Sequence, residues 1–312
     1  MLSRRNIRVK VMQALYAMTR DPLMSLKDTE KLYLDLLDQS WDLYLFSLLF
    51  WQKVALWAHK DQEQRQAKLL PSEEDKQFKP LLGQNPLIDF VVQHDDFQRL
   101  VRQRRLVQKV DEDIVKKLYK DFSQTDGYLE YALGKKGDDI EVHREMLMNL
   151  YKWLIKQELF DSLLEDLFPV WIDDKSLVVG AMKKTIRSLP DDPDLHRTHK
   201  PPHDATHDFG LHLLRQVVER DRELLQTIKP TLKNWDIDRL AVLDMILLKM
   251  ALAELLGCPT IPTKVTLNEY VEIAKLYSTD KSKDFVNGIL DRLMKQLSEE
   301  GKIHKTGRGL MD

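Results

Sequence analysis

The stretch that decides the fold reads IPTKVTLNEYVEIAKLYSTDKSKDFVNGILD, residues 261–291. Thr266 followed three residues later by Glu269 is a capping-box pattern, so a helix is predicted over 267–277. Phe285, Ile289 and Leu293 then recur at i, i+4 and i+8, which predicts a second helix over 280–297. Gly288 lies inside that helix at a cost of about 1 kcal/mol relative to Ala. It therefore suggests the close approach of a neighbouring backbone or a ligand.

Working outward, the same helical period continues in both directions. Helices are expected over 207–228 and 236–256. In residues 5–18, Ile7, Val11, Ala14, Leu15 and Met18 form the apolar stripe of an amphipathic helix. Leu32, Leu36, Leu43, Phe46, Phe50, Val54 and Trp57 predict a long helix from about residue 29 to 68. Further helices are expected over 95–120, 139–167 and 174–188, with a loop over 71–89. Pro190-Asp191-Asp192-Pro193 opens a break that includes Pro201-Pro202 and reads as a linker or exposed loop to about Thr206. The Gly-bearing segment after residue 299 reads as a flexible tail. The fold class is all-α.

The 312 residues suggest roughly two domains, or one domain with a large insertion. A hydrophobic fraction of 43% excludes whole-chain disorder. The single thiol, Cys258, excludes an intramolecular disulfide and a Cys-rich metal site, and fits a reducing compartment, the cytoplasm. The net charge of −2 hides an asymmetry: Arg4, Arg5, Arg8, Lys10 and Arg20 give residues 1–20 a local +5 with no acid. The longest apolar stretch, Leu43 to Trp51, falls short of the roughly 20 residues a membrane span needs. The start is interrupted by Arg8 and Lys10 where a signal peptide needs an apolar core, and a folded helix describes it better than an organelle presequence.

Three groups of residues could carry function. Arg4, Arg5 and Arg8 gather on one side of the first turn of the first helix. Cations there oppose the helix dipole by a few tenths of a kcal/mol. An anionic partner would relieve the conflict, and the planar guanidinium suits phosphate. The second group is Lys281, Lys283 and Phe285, the cation-plus-aromatic combination that holds single-stranded nucleic acid. Phe285 also belongs to an apolar stripe, which makes it at least half core. The third is His196, His199, His203, His207 and His212. The His-Asp doublets at 203–204 and 207–208 are similar to those of helical metal phosphohydrolases, yet lie only four residues apart. No dinucleotide fingerprint, P-loop, nucleophile elbow or His-Glu-x-x-His occurs, so neither a cofactor nor a resident metal is expected.

The two ends of the chain together resemble the NusB family of transcription antitermination factors. Arg4-Arg5, Arg8 and Val11-Met12-Gln13-Ala14-Leu15-Tyr16 resemble its opening arginine-rich helix. Trp235, Arg239-Leu240, Asp244, Leu248 and Ala251-Leu252-Ala253-Glu254-Leu255 resemble its central helix. Ile261-Pro262-Thr263-Lys264-Val265, Asn268-Glu269, Glu272-Ile273-Ala274-Lys275 and Phe285-Val286-Asn287-Gly288-Ile289-Leu290-Asp291 complete the series. The resemblance covers roughly a third of the chain. It implies a NusB-like helical bundle made of residues 1–20 and 206–298, divided by a helical insertion over 21–205 and followed by the tail 299–312.

The resemblance further implies a non-catalytic RNA-binding adaptor. Its partners would be boxA-like single-stranded RNA from ribosomal RNA transcripts, the ribosomal protein NusE and the antitermination complex on RNA polymerase. By position, Arg4, Arg5 and Arg8 match the family's RNA-contacting arginines, and Phe285 lies beside that region, with Lys281 and Lys283 next to it. Tyr16 and Asp244 match positions at the protein-partner surface. The family often has an acid four residues before the Phe and a base directly before it; Lys281 and Asp284 reverse those signs. A metal-dependent phosphohydrolase built on His196–His212 is the alternative. The NusB-like appendage of some RNA methyltransferases is a third reading, but the Gly-rich cofactor site of those chains is absent.

Overall fold

A computed structural model describes residues 2–134, 137, 139–232 and 240–310, Arg308 by its backbone only. Trp235 and Arg239, two positions of the family series, lie outside the described residues. Among those described there are fifteen α-helices and no strand. In chain order they are α1 (Arg4–Arg20), α2 (Leu26–Gln66), α3 (Glu73–Gln77), α4 (Pro86–Val92) and α5 (Asp95–Gln103). Then come α6 (Glu112–Phe122), α7 (Asp126–Ala132), α8 (Ile140–Leu154), α9 (Glu158–Leu167) and α10 (Trp171–Ser188). The last five are α11 (His212–Glu219), α12 (Asp221–Ile228), α13 (Val242–Gly257), α14 (Thr263–Tyr277) and α15 (Ser282–Glu299). No helix among the described residues is long and apolar enough to cross a membrane.

The helices form two compact units: Leu2–Leu37 with Pro201–Asp312, and Asp38–Lys200. In the first unit α13 is the central element, packed by α1, α11, α12, α14 and α15. Its sequence explains this. Ile246, Leu247, Leu248, Met250, Ala251, Leu252, Ala253 and Leu255 are buried on every side of the helix, and a helix apolar all round must be enclosed. The first turns of α2 join this unit through Tyr33, whose hydroxyl donates to the Thr206 carbonyl at 2.8 Å, and through Glu30, which pairs with Arg215 at 2.6 Å. A π-helical segment, Asp204–Leu211, leads into α11. Its Gly210 is a tight contact: a Cβ there would collide with the Tyr33 hydroxyl and come 2.5 Å from Ile7 Cγ2.

The second unit is built on the remainder of α2, which has no Gly or Pro to interrupt it. Phe46 and Phe50 meet Phe168 and Phe160 at ring distances of 5.3 and 5.2 Å, and Trp51 donates to the Leu147 carbonyl at 3.1 Å. Several expected boundaries differ here, each for a local reason. The expected helix over 95–120 divides because Arg105 turns left-handed (φ 57°) and the Leu106 amide closes back on the Val101 carbonyl, a helix-terminating arrangement. The expected loop over 71–89 contains α3, capped by Ser72 and Asp75, and α4, capped by Asn85 with Pro86 at its first position. The Pro-rich break is not an exposed loop throughout, since Leu195 and His196 are buried and their carbonyls accept from Tyr44 and Trp41.

Candidate nucleic-acid interface

The basic first helix starts at a true cap. Ser3 accepts from the Asn6 amide, and the Asn6 side chain accepts from the Ser3 amide at 3.0 Å. Asn6 and Ile7, which separate the arginines in sequence, thus serve as cap and core: Ile7 is fully buried. With 3.6 residues per turn, Arg4, Arg5 and Arg8 fall on one flank but at different depths.

Arg8 is buried, 2% exposed. Its Nε and Nη2 donate to the two carboxylate oxygens of Glu254 at 2.7 and 2.6 Å. Thr266 and Tyr270 donate to the same two oxygens at 2.8 and 2.9 Å, so the fully buried Glu254 accepts two bonds at each oxygen. The Arg8 guanidinium also lies over Phe209 at 5.0 Å and Tyr270 at 5.7 Å. Burial works against its charge, but the hydrogen bonds and the attraction of Glu254 outweigh that, and its pKa is raised. Burial raises the Tyr270 phenol well above its ordinary value, with the Glu254 charge adding to it. Arg8 is therefore held by Glu254 and almost enclosed, though it still belongs to the lining of the cleft that Arg4 and Arg5 share. Lys10 is buried too.

Thr266 and Glu269 do not form the expected capping box. Helix α14 begins earlier, at Thr263 after Pro262, and places both residues in its second turn. Thr266 faces Glu254, and Glu269 accepts from Arg5 Nε and Nη2, both at 2.8 Å. The hydrogen bond from Arg5, opposed by partial burial, holds the Glu269 carboxyl below its ordinary range, and the same bond raises Arg5. Arg5 remains 43% exposed in its side chain, with Nη1 unused in this pair. Arg4 is exposed, lies over Phe209 at 5.6 Å and makes no ion pair with the described residues.

Together these groups line a cleft of about 560 Å³, with Thr260, Ile261, Pro262 and Val265 opposite the arginines. Ser3 and Pro262, the residues that precede α1 and α14, both line it. No side chain caps α14. Two helix N-termini with their partial positive charge thus open on a cleft already carrying Arg4 and Arg5, an arrangement suited to an anion.

Lys281, Lys283 and Phe285 are not part of that cleft. They start α15, beyond the far end of α14, whose 15 residues span about 22 Å at 1.5 Å each. Both lysines are exposed, while Phe285 is buried, 8% exposed, in the α15 core stripe with Ile289 and Leu293. Asp244 is also buried and accepts from Ser278 at 2.7 Å and Ser282 at 2.8 Å, which fixes the turn that presents Lys281. Tyr16 is half-buried with Arg20 over its ring at 5.0 Å. No described protein atom outside its own helix lies within 4 Å of a Cβ built at Gly288, so the expected approach of a neighbouring backbone is not seen.

Of the clustered histidines, His196 and His199 belong to the unit Asp38–Lys200, and the other three to the first unit, where His203 and His207 stack at 4.2 Å. Among the described residues no group of three or more His, Cys, Asp or Glu is placed to hold a metal. Burial, with Glu254 adding to it, pushes the Cys258 thiol up to about 11, so it is a poor nucleophile at neutral pH.

The NusB family model matches residues 150–295. A transcription antitermination protein NusB of Salinibacter ruber is 43% identical over 107 residues, 34% of this chain and 67% of that protein. The NusB protein of Chloroherpeton thalassium is 42% identical over 105 residues, 34% of this chain but 50% of its own length. That of Geobacter sulfurreducens is 41% identical over 97 residues, 31% of this chain and 70% of that protein.

Proposed function

This chain belongs to the NusB family, and on that footing we propose that it is an RNA-binding transcription antitermination factor without catalytic activity of its own. Its RNA would be the boxA-type element of ribosomal RNA operon transcripts. Its protein partners would be NusE and, through it, the antitermination complex on RNA polymerase in the cytoplasm. The observation that carries the reading is the cleft where Arg4 and Arg5 meet two helix N-termini. On this reading the NusB-like body holds residues 1–20 and 206–298 with the helical insertion 21–205 between them, and the match to the family model reaches back to residue 150.

The mechanism is charge neutralisation with preorganised donors. Arg4 offers a whole guanidinium fork; Arg5 offers Nη1 while Glu269 holds the rest of the group in place. Lys281 and Lys283 neutralise phosphates further along the strand. Arg8 serves indirectly, by locking α1 onto α13 so that Arg4 and Arg5 stay at the cleft. Tyr16 and Asp244 would serve the partner surface, Asp244 by holding the 278–282 turn. Phe285 would support the lysines from the core.

Four neutralised phosphates predict a roughly 50-fold loss of affinity from about 50 to 200 mM salt, at a slope of about −0.7 per contact. The test is fluorescence anisotropy with a boxA-containing single-stranded RNA. Arg4→Ala with Arg5→Ala should remove most of the affinity and about half of the salt slope with helicity unchanged. Unaltered affinity in that variant counts against the proposal.

A further inference from the structure

We propose that the unit Asp38–Lys200 carries a phosphate-binding cleft of its own, in which Arg99, Arg197, Lys200 and His196 receive a phosphate group of RNA or of a free nucleotide. The proposal is independent of the antitermination reading, which rests on the other unit.

The cleft measures about 320 Å³, at the lower end of small-molecule sites. Arg99, Arg197 and Lys200 line it, and among the described residues Asp96 is the one acid in that lining. Arg99 pairs with Asp96, and Arg197 Nη2 stands 3.9 Å from the other oxygen of the same carboxylate. One acid is shared by two guanidinium groups with Lys200 beside them, leaving an excess of about two positive charges. Residues 97–110 add Arg102, Arg104, Arg105 and Lys109 and no acid. Of these, Arg104 is occupied by Asp42 and, at 3.6 Å, by Asp38.

A second observation points to a ligand. His196 lines the cleft, is only 1% exposed, and its Nδ1 has no hydrogen-bond partner among the described residues. Buried polar atoms are paired in the great majority of cases, so an orphan beside three cations calls for a partner from outside, and in the Nδ1–H tautomer that partner is an acceptor such as a phosphate oxygen. Burial, with the neighbouring His94 and Arg197 charges, holds the imidazole pKa down, and a neutral ring has one N–H to donate. The cleft is also built to stay put. Trp41 is buried, donates to the His196 carbonyl at 3.2 Å, and carries Arg104 and Lys200 against its ring at 4.8 and 4.9 Å. Three cations and a buried imidazole lining one cleft of net positive charge match a phosphate dianion or two neighbouring diesters.

The experiment uses the full chain, labelled so that the His196 imidazole nitrogens are read by NMR. Inorganic pyrophosphate, a nucleoside triphosphate and a hydroxyl-terminated single-stranded RNA are titrated separately. Pyrophosphate is expected to shift the His196 signal to saturation. Arg197→Glu with Lys200→Glu, both at exposed positions, should weaken that binding by roughly tenfold or more per lost contact. Arg4→Ala with Arg5→Ala should leave it unchanged, which separates this site from the RNA cleft. Displacement of pyrophosphate by RNA identifies a polynucleotide ligand; displacement by the triphosphate alone identifies a free nucleotide. A His196 signal unmoved by all three ligands, or equal affinity in the Arg197→Glu/Lys200→Glu protein, overturns the proposal.

Discussion

Replacing Arg8 by Ala separates an anchor from a ligand contact. The substitution takes two charge-assisted hydrogen bonds of 2.7 and 2.6 Å from Glu254 and leaves its carboxylate fully buried with only Thr266 and Tyr270. Charge-assisted bonds contribute about 1.5–3 kcal/mol each, and stranding one member of a buried ion pair costs about 3–5 kcal/mol. Lost contacts of the guanidinium with Phe209 and Tyr270 point the same way. Against a typical domain stability of about 5–15 kcal/mol, this is roughly a fifth or more of the total. Urea denaturation followed by far-UV circular dichroism should show a lower midpoint. Five of the six tryptophans, Trp41, Trp51, Trp57, Trp153 and Trp171, lie in the unit Asp38–Lys200. The shift should therefore be larger by circular dichroism than by tryptophan fluorescence. Arg8→Met combined with Glu254→Gln should cost less than the sum of the single changes, since neither then strands a charge. A loss below about 1 kcal/mol in Arg8→Ala, together with abolished RNA binding, would refute the reasoning and make Arg8 a direct RNA contact.

Three further outcomes are expected. Gly210→Ala forces a Cβ against the Tyr33 hydroxyl and Ile7 and should cost about 1–3 kcal/mol, measured by the urea midpoint. The depressed pKa of Glu269 stabilises the fold above the ordinary carboxylate value near 4.5, and that contribution fades as pH falls through the lower folded-state value. The stability gap between the natural protein and Glu269→Gln should accordingly close under acid, and a gap constant down to pH of about 2 would contradict the pairing with Arg5. Asp244→Ala takes the carboxylate from Ser278 and Ser282 and leaves them only each other and Thr279, and should destabilise by about 1–3 kcal/mol. Hydrogen exchange should show it first in the 278–282 turn.

Helix content was legible because it is written locally, in the i, i+4 recurrence of Ile7, Val11 and Leu15 or of Phe285, Ile289 and Leu293. Helix ends were less so. Thr266 and Glu269 have the spacing of a cap, but partners from distant parts of the chain, Glu254 and Arg5, claim both side chains. The division of the bundle was harder still. Helix α1 packs on α13 across more than 200 intervening residues, while the family match runs collinearly over 150–295. Glu254 carried one unused signal: an acid in the middle of Ala251-Leu252-Ala253-Glu254-Leu255 can be buried only with a cation beside it.

By itself the sequence determined an all-helical chain, its family and a basic first helix, because periodicity, order and local charge are properties of neighbouring residues. Only the tertiary structure decided where each of those charges sits and what it pairs with. Of the five cations in residues 1–20, Arg8 and Lys10 are buried, Arg5 is half committed to Glu269 and Arg4 stands open at the cleft. Whether a guanidinium is an anchor or a donor to a ligand depends on the carboxylate that meets it, and Glu254 lies 246 residues away in the chain.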